Sequence, residues 1–288
     1  AEDLRTVVFN EVFPKLLDAM RTADKDKPEP VTEAYLLELR QNALTFLYRM
    51  LFVLYAEDRD LLPATDSKYI DYGVQREVRQ DIERRMKEKD VFSERQDKYY
   101  HHLNGLFEAI DQGDGAIGLP PYNGGLFKPE NAQILDRVKL SDASLAPLID
   151  KISRRLDKDS GDLKWINYRD LSVQQLGSIY EGLLEFFPQI DADGALHIRP
   201  NTFARKTSGS YYTPEDLVKL VIENTLEPLI NDKKAAFEAQ AKAVEKNDNA
   251  DTRGVLAEND PASGVLELKV VDPAMGSGHF LVSLVEFL

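Results

Sequence analysis

A short stretch near the end of the 288-residue chain holds the residue types that could bind a charged small molecule. The pattern of Val265–Val271, apolar except for Glu267 and Lys269, predicts a buried β-strand, and this strand would end directly at Asp272. Gly276 and Gly278 follow, and an apolar helix begins after them. Because glycine has no Cβ, the backbone there can turn sharply and a ligand can approach it closely. A carboxylate at the strand end suits a ligand with positive charge, such as an ammonium or sulfonium group.

The spacing of these glycines does not match the two common phosphate-binding motifs. The dinucleotide fingerprint needs a third glycine at a fixed offset, which this turn lacks. A P-loop needs a Lys-Ser/Thr pair after its last glycine, whereas His279 follows Gly278. A strand, a turn and a helix in this order open a doubly wound α/β sheet, in which ligands bind at the carboxyl ends of the strands.

A second turn into a helix is expected earlier in the chain. Residues 201–213 are polar and contain Gly209, and Pro214 occupies a position that favours the first turn of a helix. Thr213 would cap this helix, which is expected to run to about Ile230. The backbone N–H groups at such a helix start favour an anion.

Together, these two segments resemble the cofactor motifs of the gamma-type N6-adenine DNA methyltransferases. The stretch Asp272 to Gly278, with Phe280, is similar to the family's S-adenosylmethionine motif. Gly209 to Pro214 is similar to the segment that precedes that motif, and Met275 departs from the family, which often has Cys there. The resemblance implies that S-adenosylmethionine is the cofactor. The residues that it assigns to cofactor binding are Tyr212, Thr213, Pro214, Asp272, Pro273, Ala274, Gly276, Ser277, Gly278 and Phe280.

The resemblance also implies a role for each part of this site. Asp272 would orient the methionine ammonium, and Thr213 with its neighbouring amides would bind the methionine carboxylate. Gly276 and Gly278 would let the backbone close on the cofactor, and Phe280 would pack behind it.

Three stretches of the preceding region resemble the large type IIG restriction-modification enzymes and the methylases of BREX-like phage-defence systems. They are Leu54–Arg59, Tyr122–Phe127 and Ile166–Ser172. The ribose-binding acid, the Asn/Asp-Pro-Pro-Tyr/Phe catalytic loop and the target-recognition domain of this family are expected beyond Leu288. The chain is therefore interpreted as the N-terminal part of a DNA adenine N6-methyltransferase, inactive alone. Its expected partners are double-stranded DNA and other subunits of a defence system.

Two further patterns resemble catalytic or metal-binding signatures. Leu119 to Tyr122 is similar to the catalytic tetrapeptide, but Leu119 cannot accept a hydrogen bond from the target amino group. Asp260 with Glu267 and Lys269 is similar to the magnesium signature of restriction nucleases, but the latter two lie on the expected strand before the cofactor turn. We therefore predict no catalytic residue and no metal ligand within this chain.

Composition limits how the chain could meet DNA. It carries 36 Lys+Arg against 50 Asp+Glu, a net charge of −14, which argues against binding nucleic acid by bulk charge. Arg199, Arg205 and Lys206 lie in a stretch without acids and could contact phosphate; the alternative is a polar loop. The absence of cysteine fits a reducing compartment, and no apolar run approaches the roughly 20 residues of a membrane span. We expect a cytoplasmic protein.

Helices are expected to dominate the first part of the chain. One long helix would begin after Thr32 and end before Pro63, with a buried stripe at three- and four-residue steps. Its stripe is Leu36, Leu39, Ala43, Leu47, Met50 and Leu54. A second helix would begin with a capping box of Ser172 and Gln175 and end at Pro188. Its stripe is Val173, Leu176, Ile179, Leu183 and Phe187.

The expected fold is a mainly α N-terminal domain followed by the start of an α/β Rossmann-like methyltransferase domain. The helical domain would cover residues 1–195, and the methyltransferase domain would begin at 196 with a short strand, Ala195–Pro200. Residues 231–263 would form an insertion or linker.

Two functions of other classes stay open at this point. The chain could be a non-catalytic helical scaffold or interaction module of a defence complex. It could also belong to a methyltransferase that acts on protein or RNA.

Overall fold

The computed structural model describes residues 2–122, 124–157, 160–191, 193–200, 213–246, 254–257, 260–275 and 278–288. The chain divides into two compact units, Ala1–Ser210 and Tyr211–Leu288. The strand expected to open the second domain pairs within the first unit instead. No helix among the described residues has the length and apolar character needed to cross a membrane.

The first unit is mostly helical. Its α-helices are α1 Glu2–Val7, α2 Phe13–Ala23, α3 Glu33–Asp58, α4 Asp81–Lys87, α5 Lys98–Gln112, α6 Gln133–Arg137, α7 Asp142–Ser153 and α8 Val173–Leu184. Two π-helical segments, Val8–Val12 and Gln75–Gln80, and two 3-10 turns, Pro129–Asn131 and Tyr168–Asp170, interrupt or join them. Two antiparallel hairpins complete the described part of the unit. They pair β1 Arg154–Leu156 with β2 Leu163–Trp165, and β3 Phe186–Ile190 with β4 Leu196–Pro200.

Helix α3 lies at the centre of the first unit. Its start is confirmed, because the hydroxyl of Thr32 accepts a hydrogen bond from the Tyr35 amide at 3.2 Å. The helix ends at Asp58, before Pro63. Residues on all sides of α3 are buried, not only the predicted stripe, so neighbouring elements surround it.

Buried polar side chains of α3 hold the segments around it. The Arg40 guanidinium donates to the carbonyls of Leu184 and Phe186, each at 2.6 Å. The Asn42 side chain accepts from the Ile134 amide at 2.9 Å, at the start of α6. The last carbonyls of a helix lack hydrogen-bond donors within it, and Arg40 supplies such a donor at the end of α8.

The second predicted helix is confirmed at its start and corrected at its end. Ser172 and Gln175 form the capping box. The helix ends at Leu184, and Phe187 and Pro188 lie in strand β3. Pro188 cannot continue a helix, and the strand expected at Ala195–Pro200 forms as β4 and offers β3 a pairing partner.

The regular structure of the second unit is helical over its described residues. Its longer helices are α9 Glu215–Thr225, α10 Glu227–Lys246, α11 Pro261–Leu266 and α12 His279–Phe287, and residues 254–257 are also helical. Helix α9 packs against α12 through an apolar cluster of Val218, Ile222, Leu226 and Leu284, with Phe280 and Leu281 at its edge. The first part of the expected linker is helical in α10, as its Ala/Lys/Glu composition predicts.

The prediction of a strand at Val265–Val271 is wrong. Helix α11 extends to Leu266, and the residues that follow have no regular structure, with Val271 83% exposed. A buried parallel strand needs neighbours on both sides, and the described part of this unit contains no strand that could pair with it. The α/β Rossmann-like fold therefore stays a prediction.

Candidate cofactor site

Two helices of the second unit begin side by side. Glu215 is the first residue of α9, His279 is the first residue of α12, and the His279 Nε2 atom lies 2.9 Å from the Glu215 Oε2 atom. We call these two adjacent helix N-termini the paired helix starts. Backbone N–H groups at a helix start favour an anion, because the first ones have no carbonyl of a preceding turn to bond. The contact between Glu215 and His279 therefore links two helix ends of this kind.

Pro214, not Thr213, is the N-cap of α9. The Pro214 carbonyl accepts from the amides of Leu217 at 2.9 Å and Val218 at 3.1 Å, and no side chain caps this helix. The capping role predicted for Thr213 is therefore wrong. The fixed φ of proline suits the entry into the helix, which moves the first turn one residue further along the chain. Thr213 directly precedes this N-cap.

The second motif is the loop that leads into α12. The Asp272 Oδ1 atom accepts from the Ala274 amide at 2.9 Å, which tightens the loop as an Asx turn. The Asp272 Oδ2 atom is shielded from solvent and has no hydrogen-bond partner among the described residues. A buried acceptor without a partner costs about 1–3 kcal/mol, so a donor supplied by a ligand would stabilise this loop.

Gly278 makes the turn into α12. Its φ of +83° and ψ of 15° lie in the left-handed region, and its amide donates to the Met275 carbonyl at 2.8 Å. Glycine adopts this conformation without the penalty that a Cβ would bring. The Gly278 end of the predicted turn is thus present, although a strand does not precede it.

The remaining predicted residues have different surroundings. Phe280 packs against the apolar cluster between α9 and α12. Pro273 and Ala274 are exposed. The predicted residues that lie outside the described residues are Tyr212, Gly276, Ser277, Arg205 and Lys206. Arg199 lies on β4 of the first unit, 3.7 Å from Asp191, so an acid already neighbours this candidate phosphate contact.

The two patterns that resemble catalytic or metal-binding signatures have structural roles. The backbone of Leu119 pairs with that of Asp114, and the Tyr122 hydroxyl donates to the Leu61 carbonyl. Asp260 caps α11 by accepting from the amides of Ala262 and Ser263, both at 3.2 Å. Among the described residues, no three His, Asp or Glu side chains are grouped so that they could hold a metal ion.

The sequence reasoning missed the contact between Glu215 and His279. These residues are far apart in the chain, but each directly follows a residue of a predicted motif, Pro214 or Gly278. Their position at the two helix starts was the available signal. The site as a whole offers an orphaned carboxylate oxygen and helix N-termini, which suit the ammonium and the carboxylate of an amino-acid group.

The chain is similar to a curated protein of Methanocaldococcus jannaschii named "Putative type II restriction enzyme and methyltransferase RM.MjaORFECS2P". The two are 23% identical over 280 residues, which cover 88% of this chain. The chain spans about a fifth (21%) of the length of that relative. No family model matches the chain, and no solved structure matches it.

Proposed function

We propose that this chain contains the S-adenosylmethionine-binding part of a restriction-modification methyltransferase. The proposed reaction is methyl transfer to the N6 atom of adenine at a specific DNA site. It is proposed for a protein that combines this chain with an Asn/Asp-Pro-Pro-Tyr/Phe loop. The same reasoning favours the cytoplasm as the location and double-stranded DNA as the partner.

The observation that carries this proposal is the contact between the two residues that directly follow the motifs. The segment that ends at Pro214 and the loop from Asp272 to Gly278 lead into helices whose first residues are in hydrogen-bond contact. A scaffold gives no reason for these two motifs to converge, whereas a shared cofactor does. The M. jannaschii relative supports the class of enzyme, since its name includes both a restriction enzyme and a methyltransferase.

The donor and acceptor groups fit the methionine end of the cofactor. The unpartnered Asp272 Oδ2 atom would accept a hydrogen bond from the ammonium group. The first-turn amides of the paired helix starts would donate to the carboxylate group. When bound, S-adenosylmethionine supplies an electrophilic methyl group on its sulfonium.

In this proposal the residues of this chain bind and orient the cofactor. The adenine specificity rests on the resemblance to the gamma-type family. The target base would be flipped out of the duplex so that its amino nitrogen can reach the methyl group. Catalysis of this kind depends mainly on positioning, because the nucleophile must lie in line with the bond that breaks. Methylation by a gamma-type enzyme or by a BREX-like methylase would use the same cofactor site.

Calorimetric titration of the 288-residue chain with S-adenosylmethionine tests the proposal. Asp272→Ala removes a charge-assisted hydrogen bond worth about 1.5–3 kcal/mol, so affinity should fall about ten- to a hundredfold. Asp260→Ala is the matched control, because Asp260 is an acid of the same unit that caps α11 and belongs to neither motif. Absence of binding by the wild-type chain, or equal affinity of the wild type and Asp272→Ala, would contradict the proposed function.

A further inference from the structure

We propose that Glu215 and His279 form a positioning pair, which aligns the paired helix starts so that their amides converge on the methionine carboxylate. This inference rests on the proposed function. The two side chains link α9 and α12 directly at their N-terminal ends. They need not touch the cofactor to fulfil this role.

The electrostatics of the paired helix starts call for such a pair. Each helix N-terminus carries a partial positive charge of about half a unit, so two adjacent N-termini repel each other. The Glu215 carboxylate lies at the start of α9 and contacts the first residue of α12, and it therefore reduces the repulsion between the two helix starts.

The pair differs in place from the contacts that hold the helices together. The His279 side chain is 10% exposed and that of Glu215 is 51% exposed, so the bond lies at the rim of the unit. The apolar cluster lies further along the helices, through Val218 and Ile222 of α9 and Leu284 of α12. Loss of the pair should therefore loosen the helix starts and leave the packing of the helices intact.

Substitutions at the pair separate positioning from folding. Glu215→Ala removes the acceptor, whereas Glu215→Gln retains a carbonyl oxygen that can accept from His279. Glu223→Ala is the matched control, because Glu223 is a partly exposed acid of α9 two turns beyond the helix start. Glu215→Ala and His279→Ala should each weaken S-adenosylmethionine binding about tenfold, because misaligned helix starts would lose about one hydrogen bond to the ligand carboxylate. Glu215→Gln should stay within about threefold of the wild type, and Glu223→Ala should leave binding unchanged.

The experiment is calorimetric titration of each variant with S-adenosylmethionine and with 5′-methylthioadenosine, which lacks the ammonium and carboxylate groups. The proposal predicts weaker binding of S-adenosylmethionine alone, and a double Glu215→Ala/His279→Ala variant no weaker than either single variant. Unchanged S-adenosylmethionine affinity in Glu215→Ala, no rescue by Glu215→Gln, or equal loss of both ligands would overturn the positioning pair. A wild-type chain that does not bind S-adenosylmethionine would instead refute the proposed function on which the pair rests.

Discussion

The buried carboxylate of Asp24 gives a quantitative test of how the first unit is held together. Asp24 is fully buried and accepts from the Tyr35 hydroxyl at 2.9 Å and from two nitrogens of Arg137, at 3.1 and 2.9 Å. These bonds join the end of α2 to α3 and to α6. Asp24→Asn replaces one acceptor oxygen by a donor group that faces the donors of Tyr35 and Arg137.

The expected cost follows from these contacts. Hydrogen bonds to a charged group are worth about 1.5–3 kcal/mol each, but the Arg137 side chain is 33% exposed and water weakens its share. We therefore expect Asp24→Asn to lower the free energy of unfolding by about 3 kcal/mol at pH 7. For a unit of this size, that loss corresponds to a fall in Tm of about 6–12 °C.

The pH dependence of this loss has a definite sign. Burial raises the pKa of Asp24, but the hydrogen bonds from Arg137 and Tyr35 outweigh it and hold the pKa below its usual value of 3.8. The carboxylate therefore stabilises the folded chain fully above its unfolded pKa, and this contribution is lost as pH falls through the lower folded pKa. The difference between the wild type and Asp24→Asn should be complete at pH 6–7 and shrink below about pH 4.

Urea denaturation followed by far-ultraviolet circular dichroism, at pH 7 and at steps down to about pH 3, measures this difference. Asp18→Asn is the matched control, because Asp18 pairs with Arg21 on the surface with its side chain 57% exposed, and it should cost less than about 1 kcal/mol. A cost for Asp24→Asn no larger than that of the control at pH 7, or one that grows as pH falls, would refute the reasoning.

Two further predictions concern Glu57 and Gly278. Burial raises the pKa of Glu57 despite the hydrogen bonds that it accepts from Tyr69 and Val74. The stability of the wild type should therefore fall relative to that of Glu57→Gln as pH rises above about 4.5. Urea denaturation of both proteins checks this, and a constant difference in stability across pH 4–8 would contradict it. Gly278→Ala places a Cβ at a φ of +83° and should destabilise the second unit by about 1–2 kcal/mol, whereas the control Gly254→Ala should not. Limited proteolysis compares the cleavage rates of the two variants. Equal rates would show that the turn at Gly278 is unstrained.

Local signals in the sequence predicted the helix starts of the first unit well. Thr32 and Ser172 cap α3 and α8, because each cap depends on side chains within three residues of one another. Buried polar partners such as Arg40 could not be found this way, since its acceptors lie far along the chain. Their pairing depends on how the helices pack, which the local pattern does not contain.

The errors in the second unit have the same origin. The run Val265–Val271 has the composition of a buried strand, but a strand forms only where another strand offers hydrogen bonds. The motif residues Asp272 and Gly278 kept their predicted turn because the turn depends on local backbone chemistry. The contact between Glu215 and His279 was not predicted, because it joins two segments that only tertiary packing brings together.

Hydrogen–deuterium exchange of the 288-residue chain with and without S-adenosylmethionine tests the central claim most directly. The claim is that the two motifs form one cofactor site at the paired helix starts. It predicts that S-adenosylmethionine slows exchange in peptides from both Thr213–Val218 and Asp272–Ser283, while peptides of α3 are unchanged. Protection of only one of these segments, protection elsewhere, or no protection at saturating S-adenosylmethionine would contradict the claim.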